Sequence, residues 1–121
     1  MKKIVSIVDD DESVREATKG LVRSLGYSAA AFSSAEEFLN SDRLNDTSCL
    51  IADVQMPGLS GVELQHHLLE QGHRLPIIFV TAYPEDRIRA RALEAGAVDF
   101  LSKPFSDDQL IMCLDTALRD Y

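Results

Sequence analysis

Apolar residues along the chain gather in five short runs, separated by longer stretches in which apolar positions recur every three or four residues. The short runs are Ile4 to Val8, Tyr27 to Phe32, Cys49 to Ala52, Ile77 to Val80 and Val98 to Leu101. Ile4 to Val8 is β-branched apart from Ser6 and Ile77 to Val80 is the most strand-like run, as expected of strands covered on both faces, whereas Tyr27 to Phe32 is weaker and Val98 to Leu101 brief. Between them, Val14, Ala17, Leu21, Val22 and Leu25 predict a helix from about Ser13 to Leu25, closed by Gly26. Ser33 and Ser34 read as a cap for a short helix through Phe38 and Leu39, and residues 41 to 48 as a polar connection. Three more helices follow: Gly61 to about Glu70 with Val62, Leu64, Leu68 and Leu69 as apolar members, Asp86 to Ala95 closed by Gly96, and Asp107 to about Arg119. Strand and helix alternate throughout, which predicts right-handed crossovers and a doubly wound α/β domain with helices on both faces of a parallel sheet, for which the flavodoxin-like order 2-1-3-4-5 is adopted.

The 121 residues suffice for one domain spanning 1–121, and a hydrophobic content of 45% with 26% charged residues is ordinary for a globular chain. The basic and apolar opening, Met1 to Val8, meets the acids Asp9 to Glu12 too soon to form a signal-peptide core, which predicts a cytoplasmic protein. A net charge of -8 opposes an electrostatic grip on nucleic acid or anionic lipid. Cys49 and Cys113 stand among apolar neighbours and read as buried reduced thiols. His66 and His67 point about 100° apart on one helix, which does not suit a shared metal ion.

Chemistry gathers at the strand exits. Asp9-Asp10-Asp11 follows the first strand, Asp53 ends the third, Thr81 the fourth and Lys103 comes just after the fifth. In the order 2-1-3-4-5 these exits share one edge of the sheet, and the first and third strands flank the point where the strand order reverses. Asp9 and Asp10 are then expected to face Asp53, with Thr81 and Lys103 on the far side. Carboxylates so close repel by roughly 4 kcal/mol per pair at an effective dielectric of 20, more than one ammonium offsets. A divalent cation offsets it, and an all-oxygen donor set points to Mg²⁺ or Mn²⁺. The metal, Lys103 and the Thr81 hydroxyl together form a shell for phosphoryl oxygens, and a carboxylate is a competent phosphoryl acceptor.

The motifs Val8-Asp9-Asp10-Asp11, Asp53 with Met56-Pro57-Gly58 and Gly61, Val80-Thr81-Ala82, and Gly96-Ala97 leading to Lys103-Pro104-Phe105 resemble those of bacterial response-regulator receiver domains over nearly the whole chain. Asp11, the segment Phe32 to Leu39 and the segment Ala97 to Phe105 are similar to the FixJ-like subgroup, whose members usually carry a C-terminal helix-turn-helix; no such segment is present before Tyr121. The resemblance implies a CheY-like fold, with Asp53 as phosphoacceptor and Asp9, Asp10, Asp53 and the Gln55 backbone carbonyl holding Mg²⁺. Thr81 and Lys103 would contact the phosphoryl oxygens. Phe100 stands where many family members have a switching Tyr. Gln55 and Tyr83 occupy positions that tune phosphoryl lifetime, and the bulk of Tyr83 predicts slow self-dephosphorylation.

The implied partner is a sensor histidine kinase, and the implied output a change in the face formed by the fourth helix, fifth strand and fifth helix, controlling a DNA-binding domain or another partner. On the last helix, Leu110, Cys113, Leu114, Ala117 and Leu118 form the core stripe, which puts Met112 on the opposite side and suggests a phosphorylation-dependent homodimer through that face. Two other classes compete. A small phosphatase of the haloacid-dehalogenase kind needs a second acid two residues after the nucleophile, where Gln55 stands. A flavodoxin-like carrier needs phosphate-binding amides at the first strand exit, which is acidic here.

Overall fold

The computed structural model describes residues 3–119. Its elements are β1 (Ile4–Val8), α1 (Glu12–Ser24), β2 (Ser28–Phe32), α2 (Ala35–Leu39), β3 (Thr47–Asp53), α3 (Gly61–Glu70), β4 (Ile77–Thr81), α4 (Asp86–Glu94), β5 (Asp99–Ser102) and α5 (Asp107–Ala117). The five strands form one parallel sheet, as the alternation predicts, in the expected order β2-β1-β3-β4-β5.

Successive side chains of the central strands feed two cores. Leu50 and Ala52 of β3, with Phe79 of β4, pack under α2, α3 and α4 against Phe38, Leu64, Leu68 and Ala92. Cys49 and Ile51, with Ile78 and Val80, turn to the other face and meet Val22 of α1 and Leu110 and Leu114 of α5. Both cysteines are buried free thiols. Burial pushes the Cys49 thiol up to about 12, and burial followed by the charge of Asp99 pushes Cys113 up to about 11, so neither is a thiolate at neutral pH.

Helix phase departs from the predicted stripes in two places. In α1 the inward residues are Thr18 and Val22, whereas Ala17 and Leu25 are exposed. In α3 the buried set is Gly61, Leu64, Gln65 and Leu68, while Leu69 is 41% exposed. Gln65 is tolerated inside because its Nε2 donates to the Ala92 carbonyl at 3.0 Å, near the end of α4. The α5 stripe holds as expected: Leu110 and Leu114 are fully buried and Met112 is 71% exposed.

Strand ends also move slightly. β3 begins at Thr47 rather than Cys49, because Thr47 pairs with Ile4 and its hydroxyl meets that of Ser6 at 2.6 Å. At the other end Asp53 is itself paired, opposite Val80, so the acid belongs to the strand and inherits its rigidity.

Candidate functional site

Every residue singled out at the strand exits lies on one edge of the sheet, held by backbone contacts made before any side chain is considered. The Asp9 N–H donates to the Phe32 carbonyl at 3.1 Å, the Val54 N–H to Val80 at 3.0 Å, and the Lys103 N–H to Thr81 at 2.7 Å. These bonds carry the ladder one residue past each strand and fix where the side chains begin.

Asp9, Asp10 and Asp53 each offer one carboxylate oxygen within 4.8 Å of the others. Asp9 and Asp53 are buried and Asp10 is exposed. The Lys103 ammonium stands between the two buried acids, 2.9 Å from Asp9 Oδ2 and donating to Asp53 Oδ2 at 3.3 Å. Asp9 Oδ1 accepts the Asp11 N–H at 2.9 Å, and Arg15 donates to the Asp9 backbone carbonyl at 2.8 Å. Asp11 itself caps α1, accepting from the N–H groups of Ser13 and Val14, so the third acid of the run serves the helix and not the cluster.

The site is electrostatically unfinished. Three carboxylates face one ammonium, and Asp9 Oδ2, although ion-paired with Lys103, receives no directed hydrogen bond despite being buried. Burial first, and then the charge of Asp9, push the Asp53 carboxyl up to about 6, with Lys103 and the Gln55 N–H at 3.3 Å opposing the rise. Burial disfavours the Lys103 charge, but the neighbouring carboxylates of Asp9 and Asp53 outweigh it and hold its pKa above the ordinary lysine value. A buried oxygen lacking a directed donor, an all-oxygen donor set and two uncompensated negative charges fit Mg²⁺ or Mn²⁺. Asp9, Asp10 and Asp53 are the residues that would hold it.

The loop after β3 is itself clamped. Gly61 donates to the Val54 carbonyl at 2.9 Å, and a Cβ at Gly61 would run into the Asp53 carbonyl. Gly58 has φ +78°, and the next N–H, of Leu59, donates to Glu36 Oε2 at 3.1 Å. Nothing near Glu36 in the sequence signals this role, because its partner is 23 residues away.

Thr81 is fully buried, but its hydroxyl turns to Gln55, donating to Oε1 at 3.2 Å, and accepts the Tyr83 N–H at 3.1 Å. The Tyr83 ring is 73% exposed, so the described bond between this residue and the site runs through its backbone. Phe100 is buried, its ring centroid 6.1 Å from that of Phe79.

A strand-exit acid cluster with a lysine, on a doubly wound sheet of this order, defines a receiver domain, and the chain belongs to the response regulator receiver domain family, whose sequence pattern matches residues 5–115. It is similar to the response regulator protein TodT of Pseudomonas putida, 43% identical over 116 residues that make up 96% of this chain and 51% of that protein. Similarity extends to the transcriptional regulatory protein FixJ of Bradyrhizobium diazoefficiens, 35% identical over 95% of this chain and 56% of that protein. Among solved structures, the response regulator StyR superposes with a TM-score of 0.91 at 40% identity, covering 98% of this chain and 60% of that one. The chain thus spans about half the length of the curated relatives it matches. Receiver domains are signalling switches rather than turnover enzymes and generally bind Mg²⁺ at an acidic pocket. Among the described residues no helix is long and apolar enough to cross a membrane.

Proposed function

We propose that residues 1–121 form a phosphoacceptor domain in which Asp53 takes a phosphoryl group from a phosphohistidine of a sensor histidine kinase. The observation that carries this reading is the Lys103 ammonium seated between Asp9 and Asp53, with Asp10 completing the acid cluster. Asp53 Oδ attacks phosphorus, the O–P bond forms as the N–P bond breaks, and the electron pair of that bond returns to the imidazole. Lys103 stays beside the acceptor carboxylate and faces the phosphoryl oxygens. Asp9, Asp10, Asp53 and the Gln55 backbone carbonyl are the groups that would hold Mg²⁺, which would neutralise charge on the carboxylates and the transferred group.

The Thr81 hydroxyl then donates to a phosphoryl oxygen, and the motion is read out at the face of α4, β5 and α5, where Phe100 packs near Thr81's strand and Met112 is exposed. The proposed outputs are homodimerisation through that face and control of a DNA-binding region elsewhere in the full protein. The net charge of -8 argues against nucleic acid contact by this domain, and the two reduced cysteines suit the cytoplasm. Tyr83, at the rim, and Gln55 are proposed to slow loss of the phosphoryl group.

Acetyl phosphate with Mg²⁺ tests the reading. Intact mass is expected to rise by one phosphoryl group, to stay unchanged when a chelator removes the metal, and to fall back slowly, while light scattering reports the dimer only in the phosphorylated sample. Continuous turnover of an aryl phosphate, many equivalents per chain, would replace this reading with a phosphatase.

A further inference from the structure

Thr81 has one hydroxyl proton, and in this structure it is already committed. It goes to Gln55 Oε1 at 3.2 Å, while the oxygen accepts from the Tyr83 N–H at 3.1 Å, so both the donor and the main acceptor direction of a fully buried hydroxyl are in use. A phosphoryl oxygen on Asp53 can receive that proton only after Gln55 gives it up.

We propose that the Gln55 side chain is a latch: it holds Thr81 in the unswitched arrangement, and its release is part of the free-energy cost of activation. This rests on the phosphoacceptor reading above and adds a role for a side chain that otherwise enters only through its backbone carbonyl and the lifetime of the product. Three features suit Gln55 to the task. Its backbone is anchored, since its own N–H donates to Asp53 Oδ1 at 3.3 Å and the loop is pinned by Val54 to Val80 and by Leu59 to Glu36. Its side chain is at an exposed position, so water takes over Oε1 once Thr81 leaves, whereas Thr81, buried, must find a protein or phosphoryl partner. The bond is neutral to neutral, strong enough to bias a two-state element and weak enough for one covalent group to overcome. Gln55 is therefore a positioning residue acting through Thr81.

Beryllium trifluoride, a phosphoryl mimic that needs no turnover, is titrated calorimetrically in Mg²⁺ into the wild type, Gln55→Met, Thr81→Val and the double variant. Methionine keeps the length of the side chain without its amide acceptor. Gln55→Met is expected to bind about 3- to 10-fold more tightly than wild type, the range a neutral hydrogen bond supports. In the Thr81→Val background the same replacement should change nothing, because no hydroxyl remains to be held. Thr81→Ala serves in place of Thr81→Val if valine does not fold. Equal affinities of wild type and Gln55→Met overturn the latch alone, as does a gain that persists without the Thr81 hydroxyl. A wild type that binds no beryllium trifluoride at all, and gains no mass from acetyl phosphate, overturns the phosphoacceptor reading and the latch with it.

Discussion

Asp53→Asn is expected to take up no phosphoryl group from acetyl phosphate and Mg²⁺, and yet to be the more stable protein in metal-free buffer at pH 7. The first half follows from the proposed phosphoacceptor role, since an amide replaces the nucleophilic carboxylate. The second follows from the burial of Asp53 and the neighbouring charge of Asp9, which push its carboxyl from 3.8 up to about 6. A carboxyl with a raised folded-state pKa binds its proton more tightly when folded than unfolded. Its ionisation therefore costs stability, fully so above pH 6 and not at all below pH 4. A shift of this size, reduced for partial solvent screening, amounts to about 1–2 kcal/mol. Asparagine escapes that cost, so the variant should melt roughly 5 °C higher at pH 7. The gap should close as pH falls from about 6 to 4, where wild-type Asp53 protonates. Adding Mg²⁺ should narrow it from the other side, by stabilising the wild type with its full ligand set. Differential scanning calorimetry of both proteins across pH checks this, and an Asp53→Asn that melts lower than wild type at pH 7 without metal would refute it. Phosphorylation of the wild type should also weaken in acid, with a midpoint below about 6 because Mg²⁺ favours the ionised carboxylate, since the protonated carboxyl neither ligates nor attacks.

Lys103→Met is expected to move two measurements in opposite directions. Lys103 is the ammonium that contacts both buried acids, and its side chain is only 15% exposed. Removing one partner of a buried ion pair leaves the other charge without compensation, so the metal-free variant should lose about 2–4 kcal/mol of stability. Lys103 keeps its charge at neutral pH, and with a folded-state pKa raised above 10.5 its contribution disappears only in strong alkali. Mg²⁺ competes with the ammonium for the same carboxylates, and in the variant it meets no competitor, so its affinity should rise about fivefold to tenfold by calorimetry. Phosphoryl incorporation should nonetheless fall roughly 100-fold, because a fixed cation facing the transferred oxygens is lost. Unchanged Mg²⁺ affinity together with wild-type phosphorylation would show that Lys103 is a bystander.

These two expectations share a cause. A rim that gathers Asp9, Asp10 and Asp53 around one lysine is poor for stability and suited to receiving a cation and an anion in turn. The raised Asp53 carboxyl marks where that cost falls.

Much of this was legible along the chain because side-chain period is local. Strand runs such as Ile77 to Val80 and the breaks that follow them set the alternation, the alternation implied a parallel sheet, and parallel strands bring the exits at Asp9, Asp53, Thr81 and Lys103 to one edge. The family motifs were equally readable, since they consist of short stretches at fixed places relative to those breaks. What the sequence left open depends on contacts between residues far apart or on helix phase. Which of Ala17 and Thr18 turns inward, and why Gln65 rather than Leu69 is buried, depends on how each helix rests on the sheet and on an acceptor supplied by α4. That Asp11 leaves the acid cluster to cap α1, that Glu36 clamps the loop beyond Gly58, and that the Thr81 hydroxyl donates a hydrogen bond to Gln55 were likewise decided by the tertiary structure. Local periodicity fixes which face a side chain can occupy; only the packed sheet fixes which of several possible partners lies within a hydrogen bond of it.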